Sequence, residues 1–392
     1  MTVTFEEARA AVLARVAPAQ PPRETVSLDT AAGRVLAQPV IADRDYPPVA
    51  RSIRDGFAVR SADLPGRVHV IGEVRAGETF SGNLGLGEAV EIMTGAPIPA
   101  GADQVVMVEH VSREDEFIQT ERPAAPGEFV NPQGSEARAG AVAIAAGKRL
   151  GFADVAWLAT VGASECEVFV LPRVAILATG DEIVEIGETP RDNQVRNSNS
   201  YALAAQVRRT GGVPEILPIA RDNLQSTREL VARGLEADLL LLSGGVSAGK
   251  YDLVERVLSE FGAEFFFDRV LIQPGQPLVF GQAKSTYFFG LPGNPASTMV
   301  TFELFARTAV GRLGGECAPA FLLPTLPLEK PFSHKPGLTR FLPAVVRGGR
   351  VAPLAWQGSS DVASLSRADC FLVADRERAT WNAGDPIGVL LK

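Results

Sequence analysis

The sequence predicts a multidomain α/β plus β protein: a doubly wound α/β unit with a β-rich region before it and another after it. Three observations carry that reading. From Pro172 onward, short apolar runs alternate with amphipathic helical patterns, the signature of strand–helix–strand units in an open sheet. Leu239 to Leu242 form an unbroken apolar run that stops at Ser243-Gly244-Gly245, as a central strand covered on both faces does. On either side of this unit, at 44–138 and from 319 onward, short apolar–polar segments are punctuated by glycine and proline, which suggests small barrels or sandwiches.

The elements follow in order. Residues 4–16 place Phe5, Ala8, Val12 and Val16 on one face of an opening helix. After a proline-broken link, segments such as VHVIGEVRAG, EAVEIMTGA and DQVVMVEHV read as strands, and FADVAWLATVG as a helix leading to the strand ECEVFVL. The α/β unit opens with the strand RVAILAT, then the helix SYALAAQVRRTGG, the strand EILPIAR and the helix NLQSTRELVARGLE. The leucine strand comes next. Beyond it, Leu253, Val254, Val257, Leu258 and Phe261 fall on one face of a further helix. FFFDRVLIQ and LVFG–TYFFG lead to GLPGNPAS and a long apolar helix near Ser297.

Composition narrows the functions. With 392 residues and a net charge of −8, a nucleic-acid partner is not expected, since duplex binding usually needs a basic face. The apolar runs are too short to span a membrane, and the opening helix does not have the apolar core of a targeting signal, so the expectation is a cytoplasmic protein. Cys166, Cys317 and Cys370 are scattered without ligand spacing and fit buried thiols in a reducing compartment.

In an open α/β sheet, ligand loops gather beyond the carboxyl ends of the strands. Here those loops are Thr179-Gly180-Asp181-Glu182, Arg221-Asp222, the stretch Ser243-Gly244-Gly245-Val246-Ser247 with Asp252 just beyond, and Gly290-Leu291-Pro292-Gly293-Asn294-Pro295. Glycines let the backbone approach a ligand, and a helix starting beyond them offers amide donors to a phosphate. Three acids among such donors point to phosphate chemistry assisted by Mg²⁺. Simpler readings stand beside these. Asp252 with Glu255 also fits a capping box, Asp181 or Glu182 can complement a helix start, and Asp222 fits an N-cap. Outside the unit, SIRDGFAV and MTGAPIPAGAD set Asp55 and Thr94 among turn residues.

Taken together and in order, SIRDGFAV, IMTGAPIPAGAD, the AG before Ala141, ATGDEIV, SGGVSAGKYD, IQPGQP, GLPGNPAS and QGSSDVASL resemble the molybdopterin molybdenumtransferases, the MoeA proteins and the related E domain of gephyrin. The resemblance spans nearly the whole chain. It implies an elongated homodimer whose subunits have four domains: a discontinuous linker domain (1–43 and 139–171), a β-rich domain (44–138), a molybdopterin-binding α/β domain (172–318) and a C-terminal β-barrel (319–392). The active site would lie between the α/β domain of one subunit and the β-rich domain of the other. The implied reaction inserts molybdate into adenylylated molybdopterin and releases AMP with Mg²⁺, and implied partners are a molybdopterin adenylyltransferase and molybdoenzyme maturation factors.

By motif, Asp55, Thr94, Glu182, Asp222 and Asp252 take catalytic positions, the last three as metal ligands. Ser243, Gly244, Gly245, Ser247, Gln273, Gln276, Pro292, Pro295 and Ser364 take cofactor-binding positions. The chain departs from the pattern where the family usually reads KPGKP, because Gln273 and Gln276 leave two expected cations neutral. Asn131–Glu136 lacks the usual arginine and has Glu136 in place of aspartate, Asn197 stands where an acid is common, and Arg54 replaces a methionine. Arg54, Lys250 and Arg269 are candidates to restore the positive charge. The two glutamines raise an alternative: a non-catalytic paralogue that binds or scaffolds.

Overall fold

Leu239, Leu240, Leu241 and Leu242 are all fully buried, and the strand they form, Leu239–Ser243, is the axis of a six-stranded sheet. The computed structural model describes residues 1–16, 21–244 and 253–392. In spatial order the sheet runs Val213–Ile216, Arg173–Ala178, Leu239–Ser243, Thr286–Leu291, Val279–Ala283 and Glu264–Phe267. The first four strands are parallel, with Ile176 opposite Leu241 and Leu241 opposite Phe289. Val279–Ala283 is antiparallel to Thr286–Leu291, because two residues, Lys284 and Ser285, join them in a tight hairpin. The sheet is therefore mixed at one edge, where alternation alone suggested parallel strands.

Helices cover both faces. Val231, Leu240, Leu242, Val254, Val257 and Phe288 form one core layer, placing the helices Leu224–Gly234 and Leu253–Glu260 on that side. The other layer gathers Ile176, Leu203, Val207, Leu241, Phe289 and Phe305 under the helix Ser198–Thr210 and the long helical run that begins at Pro295. The opening helix, Phe5–Arg15, joins this second layer. Thr4 and Glu7 form a reciprocal capping box at its start, and Phe5 packs edge-on against Phe305 and Phe341.

Residues 23–41 pair with 142–169, and Leu36, Ile144, Leu150, Leu158 and Val168 share a core there. Between these segments lies a second six-stranded sheet. In it Gly56–Val59 sits between Gln104–Met107 and Glu88–Ile92, and apolar clusters occupy both faces of the sheet. After the long helical run, Thr339–Arg347 pairs with Cys370–Ala374 and Arg350–Pro353, and Pro386–Leu391 continues the ladder to Thr325–Pro327. A bridge between Leu328 and Val351 joins the ends of this path around a core of Leu328, Val351, Leu372 and Val389. Cys166 and Cys370 are buried; Cys317 is exposed, contrary to the expectation that all three thiols would be buried. Among the described residues no helix is long and apolar enough to cross a membrane.

Candidate functional site

The chain leaves Arg173–Ala178 toward Val213–Ile216 on one side, while Leu239–Ser243 lies on the other, so the strand order reverses between the first and third strands. Crevices form beyond the carboxyl ends of strands at such a reversal. A cleft of about 650 Å³ opens here. Its walls come from four segments: Ala178–Ile183, Val195–Asn199, Ser243–Gly244 and Pro292–Pro295. Pro277 and, from the C-terminal region, Ser360 and Val362 complete the lining.

Local chemistry explains each wall. Gly244 has φ +90°, which favours glycine, and a Cβ there would sit 2.9 Å from the Thr179 carbonyl oxygen. The two loops can lie this close because residue 244 has no side chain. Asn199 then ties three segments: its Nδ2 donates to Ser243 Oγ and to the Gly293 carbonyl, each at 2.8 Å. Thr298 Oγ1 donates to the Pro292 carbonyl at 2.5 Å, which pins the Pro292–Pro295 turn onto its helix. The Ala296 amide donates to the Ser359 carbonyl at 2.8 Å, joining the C-terminal region to this rim.

Glu182, Ser243, Gly244, Pro292 and Pro295 therefore converge on one cleft. Asp222 lies beside it. Its Oδ2 accepts from the Asp181 amide at 3.3 Å, while Asp181 Oδ1 accepts from the Asp222 amide at 3.2 Å. The N-cap of the following helix is Asn223, whose side chain accepts from the Ser226 amide at 2.9 Å, so capping does not account for Asp222. Gly245, Ser247, Lys250 and Asp252 lie outside the described residues.

The remaining predicted positions stand elsewhere. Asp55 Oδ1 accepts from the Thr94 amide at 2.6 Å and from its hydroxyl at 2.8 Å. These two bonds, the amide first, hold the Asp55 carboxyl below its ordinary pKa. The pair forms one unit, but neither residue lines the cleft. Gln273 is exposed and lies in register with Arg340, and Gln276 is half-buried; of their turn, only Pro277 reaches the cleft wall among the described residues. Ser364 is 1% exposed, and its hydroxyl donates to Asp361 Oδ2 at 2.6 Å. Ser364 thus orders the Gln357–Asp361 loop, and that loop presents Ser360 to the cleft. Arg54 and Arg269 do not line it.

Sequence reasoning missed Arg196 and Asn199, and placed Asn197 only as a departure from a pattern. Arg196 and Glu182 are the two charged side chains among the described residues lining the cleft. Asn197 caps the helix Ser198–Thr210 by accepting from the Ser200 amide at 3.3 Å, and an Asn ahead of a polar first turn was the available signal. A second hollow, of about 550 Å³, lies between Ala146–Gly151 and Glu316–Ala320. Its buried-side charges, Arg149 and Glu316, already satisfy each other at 3.0 Å.

Mixed-sheet α/β architecture with a cleft at the strand reversal defines the class of open-sheet α/β proteins that take ligands beyond the carboxyl ends of their strands. Within that class the match is specific. Residues 3–162 match the MoeA N-terminal region (domain I and II), 175–312 a probable molybdopterin binding domain, and 325–392 the MoeA C-terminal region (domain IV). The chain is 32% identical over 384 residues to a molybdopterin molybdenumtransferase of Staphylococcus aureus (strain Mu50), covering 94% of this chain and 91% of that protein. It is 37% identical over 303 residues to one from Nostoc sp., covering 74% and 70%. The crystal structure of a molybdopterin biosynthesis MoeA protein from Pyrococcus horikoshii superposes with a TM-score of 0.71 at 32% identity, over 100% of this chain and 99% of that one. The chain belongs to the MoeA family, and its three matched regions carry the MoeA-like fold.

Proposed function

We propose that this protein is a molybdopterin molybdenumtransferase, which inserts molybdate into adenylylated molybdopterin and releases AMP. The observation that carries this reading is the convergence of Glu182, Ser243, Gly244, Pro292 and Pro295 on one cleft at the strand reversal, in a chain of the MoeA family. The polar groups among the cleft's mixed walls suit phosphate oxygens, with the hydroxyl of Ser243 and the backbone at Gly244 closest to the sheet.

Mg²⁺ fits these residues in a limited sense. Among the described residues no three His, Cys, Asp or Glu side chains cluster as metal ligands. Mg²⁺ commonly takes one or two carboxylates together with substrate phosphate oxygens and waters, which Glu182 and Asp222 can provide, with Asp252 as the third assigned acid. When bound, the ion would neutralise charge on the pyrophosphate. Glu182 and Asp222 would hold it, and Ser243 would orient the phosphate. Asp55, kept ionised by Thr94, belongs to a second surface that we assign to the same reaction across a homodimer interface. The assigned domain limits are 1–43 with 139–171, 44–138, 172–318 and 319–392. A molybdopterin adenylyltransferase would supply the substrate, molybdoenzyme maturation factors would receive the product, and the cytoplasm is the proposed location.

Neutral Gln273 and Gln276 favour a second reading, a family member that binds or scaffolds without turnover. Incubation with adenylylated molybdopterin, molybdate and Mg²⁺ separates the two. The transferase reading expects AMP release from the wild-type chain. Release that appears only after Gln273→Lys with Gln276→Lys would overturn it.

A further inference from the structure

The wall of the cleft formed by Val195–Asn199 has chemistry that none of the assigned roles uses. Val195–Arg196 pairs in parallel with Ile183–Val184, so Arg196 is fixed on the rim directly before the helix Ser198–Thr210. Its Nε donates to the Glu188 carbonyl at 3.0 Å, which anchors the guanidinium by one edge and leaves its Nη groups for another acceptor. No carboxylate among the described residues forms an ion pair with it. Asn197 follows, 3% exposed and lining the same cleft. Its Oδ1 caps the helix, while its Nδ2 is buried with no hydrogen-bond partner among the described residues. A buried donor left unpaired costs about 1–3 kcal/mol, so an amide held in this state calls for a missing acceptor. The thirteen-residue helix that follows begins directly at Asn197, so the positive end of its dipole lies at this wall, although Asn197 Oδ1 already takes its Ser200 amide.

We propose that Arg196, Asn197 Nδ2 and the N-terminus of the Ser198–Thr210 helix form a seat for a tetrahedral oxyanion, separate from the Ser243–Gly244 loop. The inference rests on the transferase reading for the identity of the anion, which is either molybdate or a phosphate group of the nucleotide. One fixed guanidinium edge, one neutral amide donor and a helix terminus match a dianion without any lysine. The seat would supply positive potential to a cleft whose neighbouring QPGQP turn is neutral. It also gives Asn197 a role that an aspartate could not fill, because a carboxylate there would cap the helix equally well but repel the anion.

The test is titration calorimetry on the full chain with molybdate alone and, separately, with AMP alone, at two salt concentrations. Wild type should bind at least one of them, more weakly at high salt. Arg196→Gln should weaken that binding about ten- to a hundredfold. Asn197→Asp should weaken it similarly while leaving the unfolding midpoint unchanged or raised, since the cap is kept. Glu182→Gln, which removes the acid among the charged residues on the wall, should strengthen it and serves if Arg196→Gln does not fold. The ligand whose affinity responds to Arg196 identifies the occupant. Wild-type affinity retained in both Arg196→Gln and Asn197→Asp, or no binding of either ligand by wild type, would overturn the seat. Arg196-dependent binding without AMP release in the complete reaction would overturn the transferase reading and leave the seat standing.

Discussion

Asn199 is the residue whose removal should loosen the cleft without disturbing the sheet beneath it. Its Nδ2 makes two bonds, at 2.8 Å each, to Ser243 Oγ and the Gly293 carbonyl, and these join the loops beyond two adjacent strands. Each bond contributes about 1 kcal/mol net, so Asn199→Ala should weaken the tie by about 2 kcal/mol. Its Oδ1 is buried without a partner among the described residues, so truncation breaks no bond on that side. A loss of about 2 kcal/mol raises the population of the open loop roughly thirtyfold. Amide hydrogen exchange reads this directly. The Gly244 amide, bonded to the Leu291 carbonyl at 3.3 Å, should exchange roughly thirty times faster, whereas Leu241 inside the strand should keep its rate. An unchanged rate at Gly244, or equal acceleration at Leu241, would refute the claim that Asn199 is a local tie.

Two further outcomes follow from the same geometry. Gly244→Ala forces a side chain into a left-handed backbone and against the Thr179 carbonyl, so AMP release should fall about tenfold or more; an unchanged rate would count against close loop packing as a requirement. Asp361 has its pKa lowered from 3.8 to about 2, first by the Ser364 hydroxyl and then by the Gln357 and Ser364 amides. A depressed carboxyl stabilises the folded state fully above its unfolded value and loses that contribution as pH falls from about 4 toward 2. Ser364→Ala should move the Asp361 midpoint, followed by carboxyl-carbon NMR, upward toward 3.8. An unmoved midpoint would remove Ser364 from the loop's support.

What the sequence showed and what it hid differ by the range of the signal. The four leucines, the periodic helices and the Gly- and Pro-rich strand ends are local patterns, and each appears where its pattern falls. The edge order was not local. Val279–Ala283 runs antiparallel because of a two-residue hairpin between strands that would suit either direction. Arg196 was hidden for a related reason: Ile183–Val184 and Val195–Arg196 form a two-residue ladder, too short to show periodicity, and no glycine or proline marks Arg196 as a ligand position. Ser364 was legible as a motif residue, but its burial against Asp361 depends on the loop's fold.

The electrostatic balance of the cleft connects these points. Moving from Gln273 and Gln276 to the described wall replaces expected lysine charge with one guanidinium, one amide and a helix end, in a cleft with a single lining acid among the described residues. Fixed dipoles need no reorganisation when an anion arrives, so they can serve where mobile lysines are absent. A neutral amide at 197 matters more in such a cleft than in one rich in lysine, because each unit of negative charge there has less to oppose it. Whether the neutral turn limits turnover therefore depends on the Arg196 wall, and the affinity of Asn197→Asp relative to wild type measures that dependence.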